Sequence, residues 1–123
     1  MSREYSLIRS FRFAFEGIRA AFKEEPNLRV HLAFAIAVLA AAFLLSFSVV
    51  EWLILAFTIS LVLILELLNT ALEALVDLVS PEVKPEAKIA KDVSAAAVFL
   101  AASLSVVVGV VLFLPKILFV FKK

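Results

Sequence analysis

The chain has no cysteine, which excludes disulfides, thiolate metal sites and cysteine nucleophiles. Glycine is almost as scarce, since Gly17 and Gly109 are the only two, and they lie too far apart to form a GxxxxGKS/T or GxGxxG phosphate loop. Charged residues make up 19% of the 123 positions, whereas hydrophobic residues make up 64% and the mean hydropathy is +1.10. A soluble domain of this size could not bury so much apolar surface. The composition therefore indicates one small domain, residues 1–123, embedded in a membrane.

Two apolar runs follow each other closely in the first two thirds of the chain. Residues 32–50 are uncharged, and these 19 residues approach the roughly 20 that a helix needs to cross about 30 Å of hydrocarbon. A second run begins after Glu51, with Trp52 in a position typical of an interfacial indole. Its uncharged part holds only 14 residues, but the helical pattern continues until Ser80-Pro81 predicts a stop. Both runs are therefore predicted to be transmembrane helices.

A third run holds 22 uncharged residues, from Val93 to Leu114, and is expected to end at Pro115. The prolines and charges before it predict a polar loop. The fold class expected is thus an all-α integral membrane protein. Its predicted elements are transmembrane helices at residues 30–50, 51–79 and 92–115, a polar turn at residues 46–51 and a polar loop at residues 80–91.

The N-terminal part differs, because its large apolar residues recur every three or four positions. They are Leu7, Phe11, Phe15, Ile18 and Phe22. Charged residues occupy the opposite side, namely Arg9, Arg12, Glu16, Arg19 and Lys23. This pattern predicts an amphipathic helix within residues 1–29 that lies flat on the membrane surface. A soluble helix packed on a partner is the alternative interpretation.

Three spans would place the two ends of the chain on opposite sides of the membrane, and the basic residues are distributed unevenly between these sides. Nine of the twelve share one side, namely Arg3, Arg9, Arg12, Arg19, Lys23, Arg29, Lys84, Lys88 and Lys91. The other three are Lys116, Lys122 and Lys123. The positive-inside rule predicts that the basic side faces the cytoplasm, which holds ATP, and that the protein lies in the cytoplasmic membrane. The basic residues interleave with a membrane-seeking face, so we expect no nucleic-acid partner.

Polar groups reappear at the end of the second predicted span, in the sequence ELLNTALEALVD. At about 100° per residue, its polar side chains fall within an arc of about 80° on one helix face. We call this set the polar stripe: Glu66, Asn69, Glu73 and Asp77. A charge near hydrocarbon costs about 2.5–3.5 kcal/mol on insertion scales, so such residues usually face a protein interior or a wet cavity and are functional.

The polar stripe is expected to meet other charged groups at the cytoplasmic edge. Glu24 and Glu25 end the surface helix, and Lys91-Asp92 open the third span. Carboxylates with an amide suit Mg²⁺, which proteins commonly hold with one or two carboxylates together with substrate phosphates. A lysine could balance phosphate charge, and one carboxylate could act as a base toward a lipid hydroxyl. These groups suit phosphoryl transfer.

Structural interpretations remain open for several of these residues. Asn69 could serve helix packing, and Asp77 could be a solvated charge at a helix end. Lys91 and Asp92 could mark the entry of the chain into the bilayer. His31 is alone, which favours a hydrogen-bonded or interfacial histidine over a metal ligand.

A different class of function is a small pore or scaffold oligomer in which the carboxylates line a channel. A pore would favour a stripe that continues through the membrane. Between Trp52 and Leu65, however, Thr58 and Ser60 are the only polar groups. The pattern therefore favours interfacial chemistry over permeation.

The segment ELLNTALEALVD at residues 66–77, followed by AKIAKDVSAAAV at residues 87–98, resembles the signature of the prokaryotic diacylglycerol kinase family. The resemblance extends to GIRAAFKEEPNLRVH at residues 17–31 and covers nearly the whole chain. It implies a homotrimeric lipid kinase with three spans per protomer, which uses ATP and Mg²⁺ to phosphorylate a lipid alcohol.

The resemblance also implies roles for individual residues. Glu66 is expected to be the catalytic base near the lipid hydroxyl, with Asn69, Lys91 and Asp92 in the same active site. The residues expected to bind the nucleotide and its metal are Gly17, Arg19, Glu25, Glu73, Asp77, Lys91 and Asp92. Among them, Glu25 and Glu73 are expected to be the Mg²⁺ ligands.

Two branches of the family differ in their lipid substrate. The segments EPNLRVHL, EWLIL and FLPKI resemble the undecaprenol kinase branch, with diacylglycerol as the alternative substrate. One departure concerns Val83-Lys84-Pro85, where that branch commonly has tyrosine-histidine-proline. A role of that histidine therefore does not carry over to this chain.

Overall fold

The computed structural model describes residues 6–122, and this part of the chain is helical apart from short connections. Its helices are α1 (Leu7–Glu24), α2 (Pro26–Leu44), α3 (Val49–Val79) and α4 (Pro85–Phe121). The predicted all-α class is confirmed, and α2, α3 and α4 are each long and apolar enough to cross a membrane. Arg3 and Lys123, counted above among the basic residues, lie outside the described range.

The boundary between α1 and α2 lies four residues earlier than the sequence predicted. Ser6 caps α1, since its hydroxyl accepts from the backbone N–H of Arg9 at 3.4 Å. Glu25 then adopts extended dihedral angles, φ −113° and ψ 102°, and Pro26 begins α2. The proline causes this break, because its ring disfavours the helical conformation of the preceding residue and suits the first position of a helix.

The turn between α2 and α3 is shorter than the predicted polar turn at residues 46–51. Ser46 supplies the reversal with a left-handed backbone at φ 55°. Ser48 caps α3 through its hydroxyl, which accepts from the N–H of Glu51 at 3.2 Å, and the Glu51 carboxylate accepts from the N–H of Ser48 at 3.0 Å. Because this capping box needs Glu51 in the first helical turn, α3 begins at Val49 rather than at residue 51.

Helix α4 is longer than predicted at both ends. The polar loop covers only residues 80–84, because Pro85 occupies the first position of α4 and the following charged residues are helical. The helix also continues through Pro115 to Phe121. Leu114 and residues 117–121 are apolar, although Lys116 is charged. A chain in hydrocarbon must satisfy its backbone internally, which favours a helix that tolerates one lost bond over a break. The predicted end of α3 at Val79 agrees with the structure.

The most extensive packing joins α3 to α4, while α2 packs on α3 and α1 contacts both α2 and α3. A buried apolar cluster at the α2–α3 turn contains Ala42, Phe47 and Leu55. Many other large apolar side chains are exposed, such as Phe57 at 75% and Phe99 at 70%. Such surface is stable only against lipid or further protein.

Candidate active site

Glu66 is the one charged side chain that is buried within residues 6–122, with 3% of its surface exposed. It lies on the face of α3 that also carries the buried Leu55 and Val62. On α2, Nε2 of His31 lies 3.0 Å from Oε1 of Glu66. A buried carboxylate without a polar partner is costly, so this contact between helices gives Glu66 the partner that its burial requires.

Asn69 lies one turn further along α3 and is partly buried. Its Oδ1 accepts a hydrogen bond from the Ser94 hydroxyl on α4 at 2.7 Å. A side-chain amide carries its acceptor and its donors on different atoms, so this bond directs the NH₂ group of Asn69 away from Ser94. Helix α4 thereby fixes the orientation of an amide donor within the polar stripe.

Lys91 and Asp92 are adjacent in sequence, but they pair with different residues. The Lys91 ammonium donates to the Asp77 carboxylate and so joins α4 to the polar stripe on α3. Asp92 instead accepts from Lys88 one turn earlier on α4. This second pair follows the i,i+4 spacing of an exposed helix surface, and 63% of the Asp92 side chain is exposed. Within the described protomer, Lys91 therefore contacts the polar stripe and Asp92 does not.

Glu25 brings a further carboxylate to the same region from the α1–α2 junction. Partial burial raises the pKa of Glu25 above the usual 4.5, and repulsion from Glu73, Glu66 and then Glu24 raises it further. The effect shows that negative charge accumulates where α1, α2 and α3 meet. A cation at this place would relieve the repulsion.

The carboxylates Glu25 and Glu73 suit a magnesium ion that is shared with phosphates. Within residues 6–122, no three side chains of aspartate, glutamate or histidine are grouped closely enough to enclose a metal. Mg²⁺ does not need such a group, because it usually keeps several waters and takes one or two carboxylates together with substrate oxygens. The donor set and its mutual repulsion therefore fit a magnesium nucleotide better than a metal held by protein alone.

An apolar groove of about 370 Å³ lies between α2, α3 and α4, on the same side of α3 as Val62. Its α3 lining extends from Leu55 to Leu63, which is about 12 Å of helix at 1.5 Å per residue. The Thr58 and Ser105 hydroxyls in the lining donate to carbonyl groups of their own helices, at 2.7 and 2.6 Å. Among the described residues that line the groove, His31 is the one with an ionisable side chain. Its contact with Glu66 links the groove to that carboxylate.

The two α1 residues predicted from the resemblance lie away from these contacts. Gly17 and Arg19 are exposed, and a Cβ atom added at Gly17 would meet nothing within 4 Å. Within residues 6–122, Arg19 takes part in no ion pair of the protomer. Neither residue is therefore joined to the polar stripe by a hydrogen bond or an ion pair of the described chain.

Two partners of the polar stripe were not predicted from the sequence. The isolated His31 indicated a hydrogen-bonded or interfacial histidine but not its partner Glu66, and no sequence pattern indicated Ser94. Spacing within one helix could not reveal either contact, since each joins two helices. The available signal was that buried polar groups need partners, and His31 was the one histidine in the chain.

Comparison with known proteins gives consistent matches. The sequence matches the prokaryotic diacylglycerol kinase family over residues 12–113. A diacylglycerol kinase of Synechocystis sp. is 48% identical over 114 residues, which are 92% of this chain and 65% of that protein. The undecaprenol kinase of Bacillus subtilis is 43% identical over 109 residues, which are 89% of each chain. A diacylglycerol kinase of Haemophilus influenzae is 34% identical over 95 residues, which are 77% of this chain and 80% of that protein. The chain thus spans just under two thirds of the Synechocystis protein and most of the other two.

Proposed function

Because the chain belongs to the prokaryotic diacylglycerol kinase family, whose relatives bear the names of lipid kinases, we propose that it transfers the γ-phosphoryl group of ATP to undecaprenol in a Mg²⁺-dependent reaction. The observation that carries this proposal is the burial of Glu66 in contact with His31, which lines an apolar groove. A buried carboxylate that one histidine links to a hydrocarbon-sized groove suits a substrate with an apolar chain and one hydroxyl group.

Glu66 is the proposed general base. The hydroxyl oxygen of the lipid forms a bond to the γ-phosphorus while the bond from that phosphorus to the bridging oxygen of ADP breaks. The hydroxyl proton passes to the Glu66 carboxylate. A base in this position must lie within hydrogen-bond reach of the hydroxyl, and the contact of Glu66 with the groove-lining His31 would bring a hydroxyl from the groove near the carboxylate.

The remaining residues bind and orient the nucleotide. Bound Mg²⁺ would neutralise phosphate charge, with Glu25 and Glu73 as its protein ligands. Asn69 offers its NH₂ group to a phosphate or to the hydroxyl. Lys91 exchanges its partner Asp77 for phosphate oxygens when ATP binds. Asp92, Gly17 and Arg19 complete the nucleotide side of the site, where Arg19 supplies an exposed cation.

The groove is the proposed place for the hydrocarbon chain of the substrate. About 12 Å of groove accommodates only the part of a polyprenyl chain nearest the hydroxyl, so the remainder would lie in the bilayer. Substrate selection would then depend on the first few carbon atoms and on the headgroup.

We also propose a homotrimer in the cytoplasmic membrane, with the site facing the cytoplasm. The polar stripe is only partly covered by its own protomer, since Asn69 and Glu73 remain partly exposed. In a membrane, such groups need protein or water around them, and a neighbouring protomer supplies this cover. The cytoplasmic orientation rests on the nine basic residues of one side.

Diacylglycerol is the second candidate substrate, because the relative with 48% identity bears that name. Undecaprenol is preferred because the undecaprenol kinase of Bacillus subtilis matches 89% of each chain and the segments named above resemble that branch.

The deciding experiment is phosphorylation by the purified protein in mixed micelles with labelled ATP. Undecaprenol and diacylglycerol are offered in parallel, with Mg²⁺ or with a chelator. We expect Mg²⁺-dependent transfer chiefly to undecaprenol. Preferred transfer to diacylglycerol would replace the substrate assignment, and no transfer to either lipid by a folded oligomer would favour a pore or scaffold.

A further inference from the structure

We infer that His31 is a positioning residue that holds one oxygen of the Glu66 carboxylate so that the other faces the lipid hydroxyl. This inference rests on the proposed function, because it assigns the geometry of the proposed base. It concerns a residue on a different helix from the polar stripe.

The contact is short enough for a hydrogen bond with a defined direction. Nε2 of His31 lies 3.0 Å from Oε1 of Glu66, which is an ordinary distance for N–H···O. An ionised carboxylate only accepts hydrogen bonds, so the proton of this bond must be on Nε2. Oε1 is then occupied, and Oε2 is the oxygen available to a substrate.

Burial makes Glu66 depend on this single partner. Within residues 6–122, His31 is the only side chain that forms a hydrogen bond or an ion pair with the Glu66 carboxylate. Glu66 is 3% exposed, whereas 29% of the His31 side chain is exposed. The imidazole therefore reaches from the groove and the surface toward a carboxylate that water cannot solvate. Removing the imidazole would leave a buried charged oxygen without a donor.

The neighbouring charges increase this dependence. Glu25 is close enough to Glu66 for their carboxylates to repel each other, and the other neighbours on that side are also acidic. Repulsion alone would turn the Glu66 carboxylate away. A donor on α2 keeps the carboxylate in place.

A pair of substitutions tests the inference by kinetics. His31→Leu introduces an apolar side chain of similar size and removes the donor, whereas His31→Gln keeps a donor at a similar reach. We expect His31→Leu to lower kcat by about 10- to 100-fold with KM for the lipid changed by less than about twofold, because a hydrogen bond to a charged group is lost. His31→Gln should retain kcat within about fivefold of the wild type.

Either of two kinetic results would overturn the inference. One is an unchanged kcat in His31→Leu, and the other is an equal loss in both variants. Helix content by circular dichroism and oligomer size by gel filtration establish that each variant is folded. Where His31→Leu does not fold, the comparison of His31→Gln with the wild type and the spectroscopic measurement below still decide the matter.

The chain offers a spectroscopic test that does not depend on activity, because His31 is its only histidine. Protein labelled with ¹⁵N-histidine, with any affinity tag removed, gives imidazole signals from this residue alone. We expect a proton on Nε2 in the wild type and a changed Nε2 shift in Glu66→Gln, with Glu86→Gln on the exposed start of α4 as a control that leaves the signal unchanged. An Nε2 without a proton in the wild type would overturn the inference.

The two tests separate this inference from the proposed function. A wild-type protein that gives the expected spectrum but no lipid phosphorylation would refute the kinase proposal and the positioning role, and it would leave the bond between His31 and Glu66 in place. An active wild type with an unprotonated Nε2 would refute only the role of His31.

Discussion

The Ser94 hydroxyl donates to Oδ1 of Asn69 at 2.7 Å and so ties the amide of the polar stripe to α4. The two residues are 25 positions apart, and the bond crosses the most extensive helix contact in the protomer. Its effect on Asn69 resembles that of His31 on Glu66, since in each case a second helix fixes the orientation of a polar group on α3. The proposed site is therefore held by contacts between helices rather than by α3 alone.

Ser94→Ala should lower kcat by about three- to tenfold, because one neutral hydrogen bond is worth about 1 kcal/mol and Asn69 would lose its fixed orientation. Steady-state phosphorylation in mixed micelles measures the change. Ser103→Ala is the matched control, since the Ser103 hydroxyl donates only to the Phe99 carbonyl of its own helix. Equal kinetics in the two variants would show that Ser94 does not orient Asn69.

Glu66→Gln should lower kcat by about 10²- to 10⁴-fold, because the amide cannot accept the proton of the lipid hydroxyl. The isosteric change keeps an acceptor beside His31, so gel filtration should show the oligomer of the wild type. Glu82→Gln in the exposed connection between α3 and α4 is the control and should retain activity. A Glu66→Gln variant with wild-type turnover would remove Glu66 as the base.

Glu73→Gln should abolish Mg²⁺-dependent turnover while the oligomer stays intact, because one of the two proposed carboxylate ligands becomes neutral. Initial rates measured over a Mg²⁺ titration check this, with the gel-filtration profile as the structural control. Any remaining rate should require a higher Mg²⁺ concentration than the wild type. Unchanged activity at the same Mg²⁺ dependence would refute the metal assignment.

Much of the fold followed from local sequence signals. The long apolar runs predicted three spans, and Ser80-Pro81 predicted the end of α3 because both the serine and the proline disfavour helix continuation. The start of α3 was wrong because of the Ser48–Glu51 capping box, and other wrong helix ends involve prolines that do not stop a helix. Pro26 and Pro85 begin helices, and Pro115 lies inside one. A proline interrupts the backbone hydrogen bonds of a helix, and the surrounding residues determine whether the helix begins, bends or ends there.

The polar stripe was also predictable, since helical periodicity places its members on one face. What the sequence could not supply was the pairing between helices. Lys91 and Asp92 were expected to act together, yet helix geometry turns Lys91 toward Asp77 and Asp92 toward Lys88. Adjacent residues on a helix are about 100° apart, so they rarely share a partner.

The end of the molecule far from the polar stripe offers a prediction about stability. Lys116 pairs with Glu51 at 3.1 Å, and its ammonium also lies 5.2 Å from the centre of the Phe47 ring. These contacts tie α4, beyond Pro115, to the α2–α3 turn. Lys116→Met should lower the free energy of unfolding by about 0.5–1 kcal/mol and leave kcat unchanged.

Denaturant titration in micelles, followed by circular dichroism, measures this loss. Lys122→Met, near the end of α4, is the control with the same change of charge. A Lys116→Met variant with normal stability would mean that these contacts contribute nothing measurable, whereas a large loss of kcat would show that the two ends of the helices are coupled.

Glu25 gives a prediction about pH. Burial and repulsion raise its pKa above 4.5 in the folded protein, so the folded state keeps a proton that the unfolded state has released. The stability from this protonation is fully present below the unfolded pKa and is lost as pH rises through the folded pKa. Above that pH, ionised Glu25 destabilises the fold, and Glu25→Gln should unfold at a higher temperature than the wild type near neutral pH without Mg²⁺.

Acidification should remove this advantage, because the wild-type carboxyl then becomes neutral like the amide. Mg²⁺ should have a related effect at neutral pH, since a cation between Glu25 and Glu73 offsets their repulsion and should raise the unfolding temperature of the wild type more than that of Glu25→Gln. Unfolding temperatures of both proteins are measured near neutral pH and at acidic pH, each with and without Mg²⁺. A stability difference that does not change with pH would show that repulsion at Glu25 is not its cause. An equal response of both proteins to Mg²⁺ would remove Glu25 from the proposed ligands and leave Glu73 as the carboxylate that holds the metal.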